Sequence, residues 1–440
     1  MPDFQAELVR ALPGTLREHS VRRGGKTAYR DACRAVTYRV LEERTGRLAG
    51  HLARLGVRRG DRVAVHLGNR VEVVEACLGV LRAAAVGVML NTGAAESELA
   101  HFLDDSGASV VITEVELLPL VLPLVSTRPG TRVVAVGHGV ATRDGIDFED
   151  LAGTDPGCPP RDDLGLDDPA WILYTSGTTG ESKGVVSTQR SALWSVAAAY
   201  VPAYGLGERD QLLWPLPMFH CYAHSLCLLG VVSVGAGAYP LERGGNVAEA
   251  LGAGLTEEPF TMVAGVPATY RLLLEALRRT PAAVPSSLRV CVTAGAQCPA
   301  ELKAEIGQVL GVPLLDGYGS TETCGKIAVD RLDRRLRQAE RAGPRRPRAR
   351  GAERCPVRTA AGRPNGWPAG DRRLEGGRVG LARPGAHTQP HTRAGPARGE
   401  RPTRRAHPAG PLPQGLRDRR RGLGHAPAGD RVPRCAVLRQ

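Results

Sequence analysis

The sequence predicts an α/β fold of mostly parallel sheets flanked by helices, followed by a basic tail without a fold. Three observations carry this. Short β-branched runs alternate with longer stretches whose apolar residues recur at helical spacing, the pattern of βαβ units. Glycines close several of these elements. At 440 residues the chain can bury a large core, and its length suits two or three domains.

The elements follow in order. "DRVAVHLG" is a β-branched run ended by Gly68, and "NRVEVVEACLGVLRAA" after it has helical spacing. "GVML" is a short apolar run, "ESELAHFLDDSG" a helix closed by Gly107, and "ASVVIT" and "TRVVAVG" are further strands. Such units expect a parallel sheet with helices on its faces. The Pro/Gly/Asp-rich stretch "LAGTDPGCPPRDDLGLDDP" reads as a surface connection. "AWILYT" is a buried-strand candidate, and "TQRSALWSVAAAY" is the next helix, with Ser187 or Thr188 as N-cap. "TMVAGV" and "LRVCVTAG" are later strands, with helices at "PATYRLLLEALRRT" and "PAELKAEIGQVLG". We expect one α/β subdomain over residues 1–165 and a second over 166–330.

The composition changes near residue 331. From Arg331 onward there are 28 arginines, no lysine and 8 acidic residues, a net charge of +20, whereas the first 330 residues carry −7. Residues 331–440 also lack Ile, Phe, Tyr, Met and Ser. A segment of Arg, Pro, Gly and Ala cannot bury enough apolar surface to offset its ordering entropy, so disorder is expected. A basic tail suggests nucleic acid. Trp367 is its one aromatic residue, however, so stacking platforms are missing and nucleic-acid binding is not expected. Arg, Pro, Gly and Ala are spelled by codons of G and C alone. The loss of Lys, Ile, Phe and Tyr is what a GC-rich gene yields in the wrong frame, and a frameshift near residues 330–340 is the expectation.

The start, "MPDFQAELVRALPGTLREHS", has no continuous apolar region of a signal peptide. No window reaches the ~18 apolar residues of a membrane span; "LCLLGVVSVGAGAYP" is too short and glycine-rich. A cytoplasmic location is the expectation. The ten cysteines contain no CxxC pair, and read as buried or free thiols.

The chemistry concentrates in "YTSGTTGESKGVV". A strand leads into Thr175, Ser176, Gly177, Thr178, Thr179 and Gly180, and Lys183 follows. Glycines let backbone N–H groups approach an anion, hydroxyls add donors, and the lysine is a mobile charge that follows a phosphate. The loop is no Walker motif, because Lys183 stands between Ser182 and Gly184. "GGKT" at 24–27 fails too, with Ser20 where the upstream glycine belongs.

The order "YTSGTTGxxKG" resembles the signature of the adenylate-forming superfamily, which includes acyl-CoA synthetases, luciferases and peptide-synthetase adenylation domains. Ser182 stands where that signature usually has Pro. "AVTYRVLEERTGRLAGHL", "LRAAAVGVMLN", "LPMFHCYAH", "TMVAGVPATY", "VTAGAQCPAEL" and "DGYGSTET" resemble further family segments in order and spacing. The resemblance covers about residues 5–330.

It implies ATP-dependent joining of a carboxylic acid to AMP with release of pyrophosphate, then transfer to a thiol of CoA or of a carrier-protein phosphopantetheine. An acyl carrier protein is thereby an implied partner. The resemblance places the loop from Thr175 to Lys183 on the β- and γ-phosphates and has Thr321 donate to the phosphates. Glu322 would hold Mg²⁺, a hard cation that prefers carboxylate oxygen. Tyr318 faces adenine from within the segment Asp316, Gly317, Tyr318, Gly319 and Ser320, with Gly295, Ala296 and Gln297 on its other side. Asp316 would accept from the adenine amino group. His220 resembles the family's pocket histidine near the acyl carboxylate, and the small residues of "GVPATY" and "TAGAQ" would line the acyl pocket. His220 and His224 are four apart, but without a third ligand a metal site is not expected.

The family also carries a ribose-binding aspartate and a terminal lysine. Here "AGD" recurs at 369–371 and 428–430 in the wrong setting, and no lysine follows Lys326. A missing cation at the reacting centre leaves the expectation that the chain as written binds ATP weakly or misfolds, and adenylates very slowly. A non-catalytic nucleotide-binding remnant, its basic tail holding acidic partners, is the competing expectation.

Overall fold

The computed structural model describes residues 4–137, 145–175, 181–241, 247–257, 259–280 and 284–333. The tail expected beyond residue 331 lies almost wholly outside them. Two sheets organise the described body.

The first sheet has seven strands, in the order Ile146–Asp147, Arg132–Val136, Val110–Glu114, Arg62–His66, Val86–Met89, Pro169–Tyr174 and Gly184–Thr188. All neighbours are parallel except the last pair, an antiparallel hairpin. The continuous Val/Ile/Ala composition of its inner strands suits burial on both faces. The second sheet has eight strands, in the order Gly325–Val329, Leu314–Ser320, Val290–Ala294, Met262–Gly265, Gln211–Trp214, Gly237–Pro240, Thr27–Arg30 and Ala35–Thr37. Its interior is parallel and both outermost pairs are antiparallel. Strands from either side of residue 165 therefore enter both sheets.

The expected helices stand close to their sequence bounds. Val71–Arg82 is buried along its whole length. Glu96–Ser106 ends at Gly107, whose φ of +58° is the left-handed cap a glycine supplies without steric cost. Thr188 caps Gln189–Ser195, its hydroxyl accepting from the Ser191 N–H at 3.1 Å.

Three features depart from the periodicity reading. Gly184–Val186, between the loop and the expected cap, is strand, because it pairs back onto Pro169–Tyr174. The single helix expected over 188–200 changes register: Val196–Tyr200 is π-helical before an α-helical turn at Val201–Tyr204. A second π-helical segment covers Ala223–Gly230, and the Tyr200 hydroxyl bonds Ser225 Oγ at 2.7 Å between the two. The connection at 151–169 is not purely superficial. Leu164 is buried, and Asp162 bonds the buried Arg82 guanidinium at 3.0 Å. A buried charge needs such a partner.

The helices Tyr38–Arg54 and Val71–Arg82 pack together. Between them Arg44 meets the fully buried Glu75 with two hydrogen bonds of 2.7 and 3.0 Å, and Arg34 adds a second ion pair to Glu75. Among the described residues no helix is long and apolar enough to cross a membrane.

Candidate functional site

The hairpin of Pro169–Tyr174 and Gly184–Thr188 closes the base of the candidate phosphate loop. Tyr174 pairs with Gly184, and the Thr175 N–H donates to the Lys183 carbonyl at 3.0 Å. Tyr174 anchors the base by donating its hydroxyl to Asp105 at 2.7 Å. His101 Nε2 lies 3.0 Å from the Ser182 carbonyl. Lys183 is exposed, and no carboxylate pairs with it among the described residues. Ser176, Gly177, Thr178, Thr179 and Gly180 lie outside the described residues.

Two adjacent parallel strands build the candidate adenine edge. Ala294 pairs with Gly317, and Thr293 with Asp316. Gly295 leaves its strand with a φ of +81°, and Gly295, Ala296 and Gln297 are exposed beside the second strand. Along that strand Gly317 points inward and Tyr318 outward, as strand alternation requires. Tyr318 is 66% exposed, a large aromatic face left open. The Asp316 carboxylate already meets Lys303 at 3.2 Å. A carboxylate retains lone pairs for a second donor. Ser320 ends the strand, its N–H donating to Thr323 Oγ1 at 3.2 Å. Gly319 lies against the backbone of the antiparallel strand Gly325–Val329, where a Cβ would stand 2.0 Å from the Gly325 carbonyl.

The turn after this strand meets the segment carrying His220. The Thr321 hydroxyl and the Glu322 charge both act on the Cys221 thiol. Burial pushes that thiol above its ordinary range. The Tyr222 N–H donates to His220 Nδ1 at 3.2 Å, so the neutral ring carries its proton on Nε2. His220 opens to solvent, yet the protein crowding its other side, and then the Lys326 charge, lower its basicity. His224 is different: it is buried edge-on against Trp171, with ring centroids 4.6 Å apart, and burial pulls it down to about 3. Glu322 is exposed without a cationic partner among the described residues. Among them no cluster of three or more His, Cys, Asp or Glu could hold a metal by itself.

Thr321 and Glu322 thus lie close to the segment of His220 and Cys221, just after the strand that presents Tyr318. No hydrogen bond or ion pair links Lys183 to that group among the described residues.

Three further residues of this neighbourhood, Tyr204, Tyr222 and Lys326, were not singled out by the sequence. Lys326 lies on the strand Gly325–Val329, with its Nζ 4.0 Å from the Tyr222 ring centroid. Burial pulls its amine down to about 7, against a weaker upward pull from Cys221 and Asp316. The available signal was one lysine inside an apolar strand, "GKIAV".

Comparison with known proteins places the fold in a family. Residues 16–352 match the family model described as AMP-binding enzyme. The chain is 39% identical over 334 residues to chalcone synthase cfoA of Aspergillus candidus, covering 73% of this chain and 12% of that protein. It is 34% identical over 306 residues to feruloyl-CoA synthase of an Amycolatopsis species, covering 69% and 58%. The anthranilate CoA ligase AuaEII, solved with anthranoyl-AMP, superimposes with a TM-score of 0.69 at 25% identity, covering 73% and 62%. A benzoate CoA ligase from Burkholderia xenovorans LB400 gives 0.65 at 28%, covering 74% and 64%. The chain therefore spans less than two thirds of the length of these relatives. The open tyrosine face, the closed loop base and the match over most of the described body lead to one conclusion: the chain belongs to the AMP-binding enzyme family.

Proposed function

We propose that this body activates an aromatic carboxylic acid as its acyl-adenylate, using ATP, for transfer to a thiol. The observation that carries the reading is the approach of Thr321 and Glu322 to the segment of His220 and Cys221, beside the exposed Tyr318. The relatives whose names specify feruloyl, benzoate or anthranilate CoA ligation support the aromatic class.

In this reading the carboxylate attacks the α-phosphorus of ATP and pyrophosphate leaves. Negative charge gathers on phosphate oxygens, so catalysis is positioning and charge neutralisation. Lys183 and the loop from Thr175 hold the β- and γ-phosphates. Thr321 donates its hydroxyl to a phosphate oxygen. Tyr318 stacks on adenine, with Gly295, Ala296 and Gln297 opposite, and Asp316 accepts from the exocyclic amine. His220, neutral near pH 7, directs its Nε2–H toward the acid's carboxylate.

Mg²⁺ would be held by Glu322, whose exposed, unpaired carboxylate suits a hard cation, and would neutralise phosphate charge. The acceptor thiol belongs to CoA or to a carrier-protein phosphopantetheine; the names of the CoA-ligase relatives favour CoA.

The test is single-turnover adenylation with enzyme in excess over a hydroxybenzoate, ATP and Mg²⁺, with acyl-AMP read by mass spectrometry. Acid-dependent formation of acyl-AMP is expected, reduced at least about tenfold in Glu322→Gln. Acyl-AMP formation equally fast in Glu322→Gln would contradict the assigned role, and none at all in the wild type would contradict the function.

A further inference from the structure

Behind His220 lies a small polar cluster that the reaction above does not use. Tyr204, on the turn Val201–Tyr204, and Tyr222, at the head of the π-helical Ala223–Gly230, are both buried. Neither hydroxyl has a hydrogen-bond partner among the described residues. Buried hydroxyls are ordinarily paired, and leaving one unpaired costs stability. Lys326 joins them from the strand Gly325–Val329. Its Nζ lies over the Tyr222 ring, and no carboxylate pairs with it among the described residues. The nearby Asp316 carboxylate is engaged by Lys303.

Gly317 holds the cluster open. A Cβ there would stand 2.5 Å from the Tyr204 hydroxyl oxygen and 3.0 Å from Lys326 Nζ. Both polar atoms therefore flank one backbone position on the inward face of the strand whose outward face carries Tyr318. Cys221 and Thr321 form the rim, and His220 lies two residues from Tyr222.

Resting on the acid-activation reading, we propose that Lys326, with the Tyr204 and Tyr222 hydroxyls, selects acids bearing a hydroxyl remote from the reacting carboxylate. The carboxylate would sit at His220, and the ring would extend inward so that its hydroxyl oxygen reaches the cluster. A hydroxyl matches these groups because it accepts from an ammonium or a tyrosine and donates to a neutral amine. The desolvated lysine fits such a role, since its amine is poised near 7. A second carboxylate would instead have to be stripped of water as a full charge. Selection of this kind is sharp, because an acid lacking the hydroxyl leaves the buried donors unpaired.

The experiment measures equilibrium binding of three non-reactive acyl-adenylate mimics to the full chain. These are 4-hydroxybenzoyl-, benzoyl- and 4-carboxybenzoyl-sulfamoyl adenosine. The wild type is expected to bind the hydroxylated mimic at least about tenfold more tightly than either other. Lys326→Met should bring the hydroxylated and unsubstituted mimics within about threefold of each other. Tyr204→Phe, which removes one oxygen and keeps the ring, should narrow the preference partly without lowering the unfolding midpoint. Equal binding of the hydroxylated and unsubstituted mimics by the wild type overturns the inference alone. So does a preference for the carboxylated mimic, or an undiminished preference in both variants. If no mimic binds, the acid-activation reading falls and this inference falls with it.

Discussion

Lys326 and His220 are the two basic groups whose surroundings alter their chemistry most within the cleft. Lys326 has a folded-state amine near 7 against 10.5 for the ordinary group. Between those values the unfolded chain binds a proton that the folded chain does not, so stability rises with pH across that window and the gain is absent below it. Compared with Lys326→Met, the wild type should gain up to about 1.4 kcal/mol per pH unit between pH 7 and 10. Urea unfolding at stepped pH reads this slope; parallel curves for the two proteins would show that the lysine is solvated. His220 has lowered basicity through burial and the Lys326 charge. It is therefore an uncharged donor near neutral pH, and its removal should act on the acid rather than on the nucleotide. His220→Ala should weaken an acyl-adenylate mimic about tenfold while leaving ATP affinity within about twofold. Equal losses for both ligands would place the histidine elsewhere. The motifs singled out His220, Thr321 and Glu322 as candidates because each sits in an ordered string of residue types. They could not single out Tyr204, which is brought beside Gly317 only through packing.

At the scale of elements, the buried contact between Tyr38–Arg54 and Val71–Arg82 supports the first sheet. Glu75 is fully buried and held by Arg34 and Arg44. Removing one member leaves guanidinium charge partly desolvated, so Glu75→Ala should cost about 3–5 kcal/mol of stability by urea titration. A cost below about 1 kcal/mol would mean that water replaces the carboxylate. Most strands and helices were legible in the sequence, because β-branched runs and helical spacing report burial directly. Thr188 as a cap was legible for the same local reason, its hydroxyl bonding the Ser191 N–H. The strand Gly184–Thr188 was not read in full, because its partner Pro169–Tyr174 pairs across a loop rather than through a pattern of its own. The π-helical segments at Val196–Tyr200 and Ala223–Gly230 were also hidden. Their composition is ordinary for an α-helix, and π-helical geometry arises from tertiary contacts such as Tyr200 with Ser225.

For the whole molecule, the order of strands in the two sheets was not legible, since pairing over long separations leaves no local trace. Thr27–Arg30 joins a sheet built mainly of strands after residue 210. Family membership was legible, because the signature and the "DGYGSTET" segment lie at the right separation. The proposed acyl-adenylate pocket, with Tyr318 as its adenine face, is tested most directly by calorimetric titration of the full chain with 4-hydroxybenzoyl-sulfamoyl adenosine, alongside Tyr318→Ala. Saturable one-to-one binding is expected, weakened at least about tenfold in Tyr318→Ala, whose side chain is 66% exposed and supports no core. Absence of binding, or equal binding by both proteins, would contradict it.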